Sequence, residues 1–147
     1  MFARIVVGTD GSETAAEAVR QARDLAKLAG ATLSIVSAYA PIPERKVKDQ
    51  QRDAPADVQY EIGPREDVNL VLDAAAADAR KEGVEVQTHP VEGDPGEAIL
   101  NVAEETDADL IVVGNKGMTG ARRFLLGSVP NNISHHAPCS VMIVRTT

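Results

Sequence analysis

Tryptophan is absent from this chain, and phenylalanine and tyrosine occur only twice each. Any core built here is therefore aliphatic, filled by valine, isoleucine, leucine and alanine. The single cysteine, Cys139, excludes an intrachain disulfide framework and suits a reducing compartment. No apolar run approaches the roughly 20 residues that a membrane helix needs. The apolar run at the start, Ile5-Val6-Val7, is too short for a signal peptide. An excess of positive charge is missing as well: the formal net charge is −7 and the sequence pI is about 4.9. Such a surface repels DNA and anionic membranes, and no basic, aromatic-interleaved stretch offsets it. These absences predict a soluble cytoplasmic protein with neither nucleic acid nor membrane as a partner.

The chain has 147 residues, 44% of them hydrophobic, enough for one domain with a sizeable core. Short apolar runs alternate with longer helical patterns. Ile5-Val6-Val7 reads as a first strand. Ala15, Ala18, Val19, Ala22, Leu25, Ala26 and Ala29 then recur at helical spacing, with Ser12 placed to cap the helix and Gly30 to end it. Residues 32–39 read as a second strand. Residues 41–63 differ in texture, charged and punctuated by proline, and read as a mobile excursion with room for a short helix. After Pro64, residues Val68, Val71, Leu72, Ala75 and Ala79 mark a second helix that Gly83 stops. Val84-Glu85-Val86-Gln87-Thr88 alternates as a strand. Asp94-Pro95-Gly96-Glu97 is a helix start, with a capping Asp, Pro at the first helical position and Glu three residues after the cap. Leu110-Ile111-Val112-Val113 is the fourth strand. A last helix carries Leu125, Leu126, Val129 and Ile133, and Ser140-Val141-Met142-Ile143-Val144 closes the chain as a fifth strand.

This β-α-β-α-β-α-β-α-β order predicts a single doubly wound five-stranded parallel sheet with helices on both faces. Right-handed crossovers leave few topologies, and the doubly wound order 3-2-1-4-5 is expected. Strands one and four then lie side by side at the switch point, where ligands bind beyond the carboxyl ends of the strands. Both strands end in glycine-marked turns. The first is Gly8-Thr9-Asp10-Gly11-Ser12. The second follows Val113 with the pattern G-x2-G-x9-G-S, made by Gly114, Gly117, Gly127 and Ser128. Glycines let bare backbone approach a ligand, and the N–H groups at a helix start favour an anion. The two turns together point to a phosphate, and to a nucleotide.

On these motifs, Val7-Gly8-Thr9-Asp10-Gly11-Ser12 and the complete G-x2-G-x9-G-S, the chain resembles the universal stress protein family, specifically its ATP-binding branch. The resemblance implies that Asp10, flanked by Gly8 and Thr9, contacts the adenine–ribose part of ATP. It implies that Ala38 lines the adenine. Gly114 and Gly117, after Val113, would line the ribose and phosphates. Gly127 and Ser128, followed by Val129, would bind phosphate. Family members commonly carry Ser or Thr where this chain has Pro130, which removes a hydroxyl and an N–H. Magnesium is an optional companion of ATP. Members with the same Gly-Ser-Val-Pro run and a Thr-Thr end are linked to cyclic AMP, which is the alternative ligand. Many members dimerise through the last strand, and a homodimer through that exposed apolar edge is expected here.

The remaining candidates have plainer readings. Lys116 either neutralises phosphate or is a solvated loop lysine. Arg122 and Arg123 read as a solvated turn. His135 and His136 point about 100° apart on a helix, so they cannot share a metal, and they suit the negative end of the helix dipole. Cys139 reads as a small buried residue. No catalytic residue is predicted. The P-loop pattern is missing, since Gly117 is followed by Met118, and no acid, base or metal site stands out in either turn. Slow ATP hydrolysis or autophosphorylation, with Ser128 or Thr119 as acceptor, is the enzymatic alternative. A regulatory binding module is the primary expectation.

Overall fold

The structure, a computed structural model, describes residues 2–39, 64–115 and 126–146. The elements run β1 (Arg4–Gly8), α1 (Glu13–Ala29), β2 (Thr32–Tyr39), α2 (Pro64–Lys81), β3 (Glu85–Glu92), α3 (Pro95–Glu105), β4 (Leu110–Gly114), α4 (Ser128–His136) and β5 (Ser140–Val144). The five strands form one sheet in the order β3-β2-β1-β4-β5, and every pair is parallel. This is the doubly wound order that the alternation of elements implies. The excursion at 41–63 lies outside the described residues.

β1 sits in the middle and explains the rest. Ile5, Val6 and Val7 are all 0% exposed. Side chains alternate across a strand, so Ile5 and Val7 join one core while Val6 joins the other. The first core also takes Leu33 and Ile35 of β2, Val112 of β4, and Ala18, Ala22 and Ala26 of α1. The second takes Ile111 and Val113 of β4, Ala98, Ile99 and Val102 of α3, and Ile133 of α4. Burial on both faces is why the central strands read as continuous apolar runs. Burying one such side chain stabilises by roughly 1.5–3 kcal/mol. Two ion pairs lie at the rim: Arg23–Asp78 at 2.6 Å joins α1 to α2, and Lys27–Glu82 at 3.0 Å joins α1 to the turn just after α2. Exposed pairs contribute only about 0–1 kcal/mol each, so the aliphatic core dominates.

Local signals set the helix ends. Ser12 adopts extended backbone and its hydroxyl accepts from Ala15 N at 3.2 Å. Gly30 closes α1 in the left-handed region, φ 68°, donating to Ala26 O. Asp94 caps α3 by accepting from Glu97 N at 3.1 Å, with Pro95 next in the chain. At the amino ends of the central strands, the Asp109 carboxylate accepts from Ala3 N at 2.8 Å and Arg4 N at 3.1 Å, fastening β1 to β4.

Three expectations need correction. β3 does not stop at Thr88 but runs through Pro90 to Glu92, pairing with β2 throughout. Proline cannot donate to a ladder, and β3 is an edge strand, where one side of the backbone needs no partner. α4 starts at Ser128, so Leu126 precedes the helix and is 39% exposed, while Leu125 lies outside the described residues. Cys139 is half-buried rather than buried, and burial, with Asp109 adding to it, pushes its thiol up. A raised thiol is a poor nucleophile.

His89 on β3 generates a prediction. Its Nε2 is buried and finds no hydrogen-bond partner among the described residues. Burial lowers its pKa from the ordinary 6.5, with the Glu105 carboxylate pulling the other way. The folded state therefore favours neutral His89 more than the unfolded chain does, which takes up a proton near pH 6.5. Stability from this group is fully present above that pH and is lost as pH falls through the window beneath it. Urea midpoints should drop between about pH 7.5 and pH 5.5, and His89→Leu should flatten that slope. An unchanged slope in the variant would remove His89 from the account.

Candidate functional site

The chain leaves β1 toward β2 and leaves β4 toward β5, and the helices that follow, α1 and α4, pack into opposite cores. Neighbouring strands whose connections diverge open a crevice at their carboxyl ends. Both glycine-marked turns sit there.

The first turn is held by its own polar groups. Thr9 N continues the ladder by donating to Val36 O at 2.9 Å. Thr9 Oγ1 accepts from Gly11 N at 3.1 Å. Asp10 Oδ1 accepts from Ser12 N at 2.9 Å and from Ser12 Oγ at 2.5 Å. Ser12 Oγ in turn receives Ala15 N. Asp10 thus braces the cap of α1 with one carboxylate oxygen, and Oδ2 takes no part in this turn network. Gly11 has φ +83°, and a Cβ there would stand 2.8 Å from Val71 Cγ2, so conformation and space both demand glycine. Gly8 has a different reason from the one its position in the sequence suggests. A Cβ on it would collide with Ile99 Cδ1 of α3. Its small size lets α3 close on β1.

The second turn is held from the sheet edge. Gly114 ends β4 opposite Val144 of β5. Asn115 N donates to Val144 O at 2.8 Å, and Asn115 O accepts from Gly127 N at 3.0 Å. Asn115 Oδ1 accepts from both Thr146 N at 2.8 Å and Thr146 Oγ1 at 2.9 Å. Gly127 is buried and is the N-cap of α4, with extended backbone and no side-chain cap bond. Of the N–H groups that a helix start leaves over, Gly127's is taken by Asn115 and Pro130 has none. The N–H groups of Ser128 and Val129 remain, at the positive end of the helix dipole. The arrangement can receive an anion of modest size through backbone donors.

The predicted residues fall into three sets. Gly8, Thr9, Asp10, Gly114, Gly127, Ser128 and Val129 lie on the two turns at adjacent strand ends. Ala38, half-buried near the end of β2, packs with Val91 against the second core. Val113 and Pro130 are buried. Lys116 and Gly117, like Arg122 and Arg123, lie outside the described residues. Sequence reasoning passed over Asn115 and Thr146. The only local sign of Asn115 is a polar residue directly after a strand-ending glycine, which many loops share. Thr146 also lines an open polar groove with Glu13, Thr14, Glu17, Arg20 and Arg145, on the α1 side of β5. His135 and His136 occupy the last turn of α4, and His136 Nδ1 lies 3.0 Å from Asn132 O.

A doubly wound parallel sheet with glycine-marked turns after two neighbouring strands defines a class, the open α/β domain with a crevice at its switch point. The match to known sequences is more specific. The family model of the universal stress protein family matches residues 1–145, and the chain belongs to that family. Universal stress protein Rv1636 of Mycobacterium tuberculosis is 37% identical over 147 residues, covering 99% of this chain and 98% of that protein. A universal stress protein solved in complex with cAMP is 34% identical, with a TM-score of 0.74 and 99% of each chain covered. The universal stress protein of Archaeoglobus fulgidus in complex with dAMP is 25% identical, with a TM-score of 0.65 and 98% of each chain covered.

The contact between Gly8 and Ile99 is testable by a double-mutant cycle. Gly8→Ala should destabilise by roughly 1–3 kcal/mol through overpacking. Ile99→Val removes the obstructing Cδ1 and by itself costs about 0.5–1.5 kcal/mol. The double variant, compared by urea unfolding, should be markedly more stable than the two costs added together. Simple additivity would mean that Gly8 is not there to admit Ile99.

Proposed function

We propose that this chain is an adenine-nucleotide-binding regulatory module, with ATP as its ligand and magnesium as an optional companion. The observation that carries the reading is the meeting, at one switch point, of the turn braced by Asp10 and the start of α4, which has no side-chain cap bond. Relatives of the same fold solved with cAMP and dAMP support adenine as the base. In this reading Asp10, with Gly8 and Thr9, meets the adenosine part, and Ala38 lines the base. Gly114, Lys116 and Gly117 lie along the ribose and phosphates, and Gly127, Ser128 and Val129 receive phosphate. Charge-assisted hydrogen bonds contribute roughly 1.5–3 kcal/mol each. Three such net contacts suit a micromolar site, about −8 kcal/mol.

Binding rather than catalysis is the better fit. General acid–base chemistry needs a proton-transfer group held at the reacting atom. The acidic group of the first turn, Asp10, is committed to bracing the α1 cap. A nucleotide-regulated protein in the cytoplasm, changing its partner or state on loading, accords with this design.

Cyclic AMP is the second reading, and two observations favour it. Pro130 withdraws one donor from the first turn of α4, which suits a single phosphate better than a triphosphate. The relative solved with cAMP is 34% identical to this chain. Calorimetric titration with ATP and with cyclic AMP separates the readings, the tighter ligand deciding. Asp10→Asn tests the site itself. The amide oxygen can still accept from Ser12, so the turn survives, but an N–H₂ donor replaces the second acceptor. Affinity for the preferred nucleotide should fall about ten- to hundredfold, with the unfolding midpoint little changed. Equal affinity in Asp10→Asn would refute the role given to Asp10.

We further propose a homodimer through β5. This strand lies at the sheet edge, and Ile143 is 40% exposed. An apolar edge strand invites pairing, and pairing with its own copy gives a closed two-fold contact. The wild type should sediment as a dimer at micromolar concentration, and Ile143→Lys should sediment as a folded monomer. A monomeric wild type rejects the dimer, and a dimer indifferent to Ile143→Lys places the interface elsewhere.

A further inference from the structure

We infer that Asn115 and Thr146 form a clasp that positions the phosphate end of the site from the sheet edge; the binding part of this inference rests on the nucleotide reading above. Gly127 caps α4 with no side chain of its own to anchor it. Its N–H is tied to the carbonyl of Asn115. The position of the next two N–H groups, those of Ser128 and Val129, therefore depends on where Asn115 stands. Asn115 is fixed in turn by β5 and the residues after it. Val144 O receives its N–H, and Thr146 gives two donors, one backbone and one hydroxyl, to the single Oδ1 oxygen. Two donors meeting on one oxygen fix the side chain in direction as well as distance.

While the clasp is made, Asn115 Oδ1 and both the N–H and the O–H of Thr146 are engaged with each other. Asn115 and Thr146 are positioning residues, acting through Gly127. Ordering the backbone donors before the ligand arrives spares the binding step that cost, which is how preorganisation raises affinity. Thermodynamic reciprocity then links the two places. If the clasp strengthens nucleotide binding, nucleotide strengthens the clasp, and a phosphate at the switch point steadies the chain just past the sheet edge.

The test uses the full chain. Asn115→Ala removes the acceptor, Thr146→Pro removes both donors, and Thr146→Ser keeps both. ATP and cyclic AMP affinities are measured by calorimetry, and amide exchange at Gly127 is followed without nucleotide. Asn115→Ala and Thr146→Pro should each bind the preferred nucleotide about tenfold more weakly, the effect of losing two hydrogen bonds. The double variant should be no weaker than either single one, and Thr146→Ser should match the wild type. Gly127 should exchange faster in both weakened variants. Losses that add in the double variant, to about a hundredfold, would show Asn115 touching ligand directly and would overturn the clasp. So would unchanged affinity in Thr146→Pro. Should the wild type bind neither nucleotide, the functional reading fails by itself, and Gly127 exchange decides the clasp: faster in both variants sustains it, unchanged overturns it.

Discussion

Complete burial of β1 is the constraint from which the rest follows. Ile5, Val6 and Val7 cannot alternate between core and water, because neither face of this strand meets water. Helices must cover both faces, and with every strand parallel each connection must cross over the sheet. α1 and α2 cover one face and α3 and α4 the other. The chain therefore runs outward from β1 in one direction and from β4 in the other, and the crevice between their carboxyl ends results from that division. Small side chains make the arrangement close: Ala18, Ala22 and Ala26 let α1 lie on the sheet, and Gly8 lets Ile99 of α3 reach it.

The crevice presents backbone more than side chains. Its first turn spends the side chains of Thr9, Asp10 and Ser12 on holding its own shape. Its second turn spends Asn115 and Thr146 in the same way. Among the described residues, what this leaves for a ligand includes N–H groups, glycine surfaces and one carboxylate oxygen. Backbone donors of this kind suit an anion such as phosphate. That division of labour agrees with a family of stress proteins whose members include a cAMP complex and a dAMP complex.

Much of this was legible before the structure, because the signals are local. β2 spans the residues that its apolar run marks, and the Asp94-Pro95 start and the Gly30 stop act where capping chemistry places them. The alternation of strands and helices with right-handed crossovers left few topologies, and the observed order is the doubly wound one expected among them. What was not legible depends on contacts distant in sequence. Asn115 and Thr146 are 31 residues apart, and no spacing rule joins them. The passage of β3 through Pro90 depends on its being an edge strand, which is a property of the sheet. Gly8 carries the same letter whether it admits a ligand or Ile99, and only the packed structure tells the two apart. Leu126 fits a helical period yet precedes the helix, because Gly127 adopts extended backbone and starts α4 one residue later.

The central claim is that the two turns act as one site. Backbone amide shifts of the nitrogen-labelled protein, followed by NMR as ATP or cyclic AMP is added, test it most directly. The account predicts that Thr9, Asp10 and Gly11 in one turn shift together with Asn115, Gly127, Ser128 and Val129 in the other, along a single saturating curve. Shifts confined to one turn would contradict it. So would shifts gathered around Arg20 and Arg145, in the groove beside α1, while both turns stay unmoved.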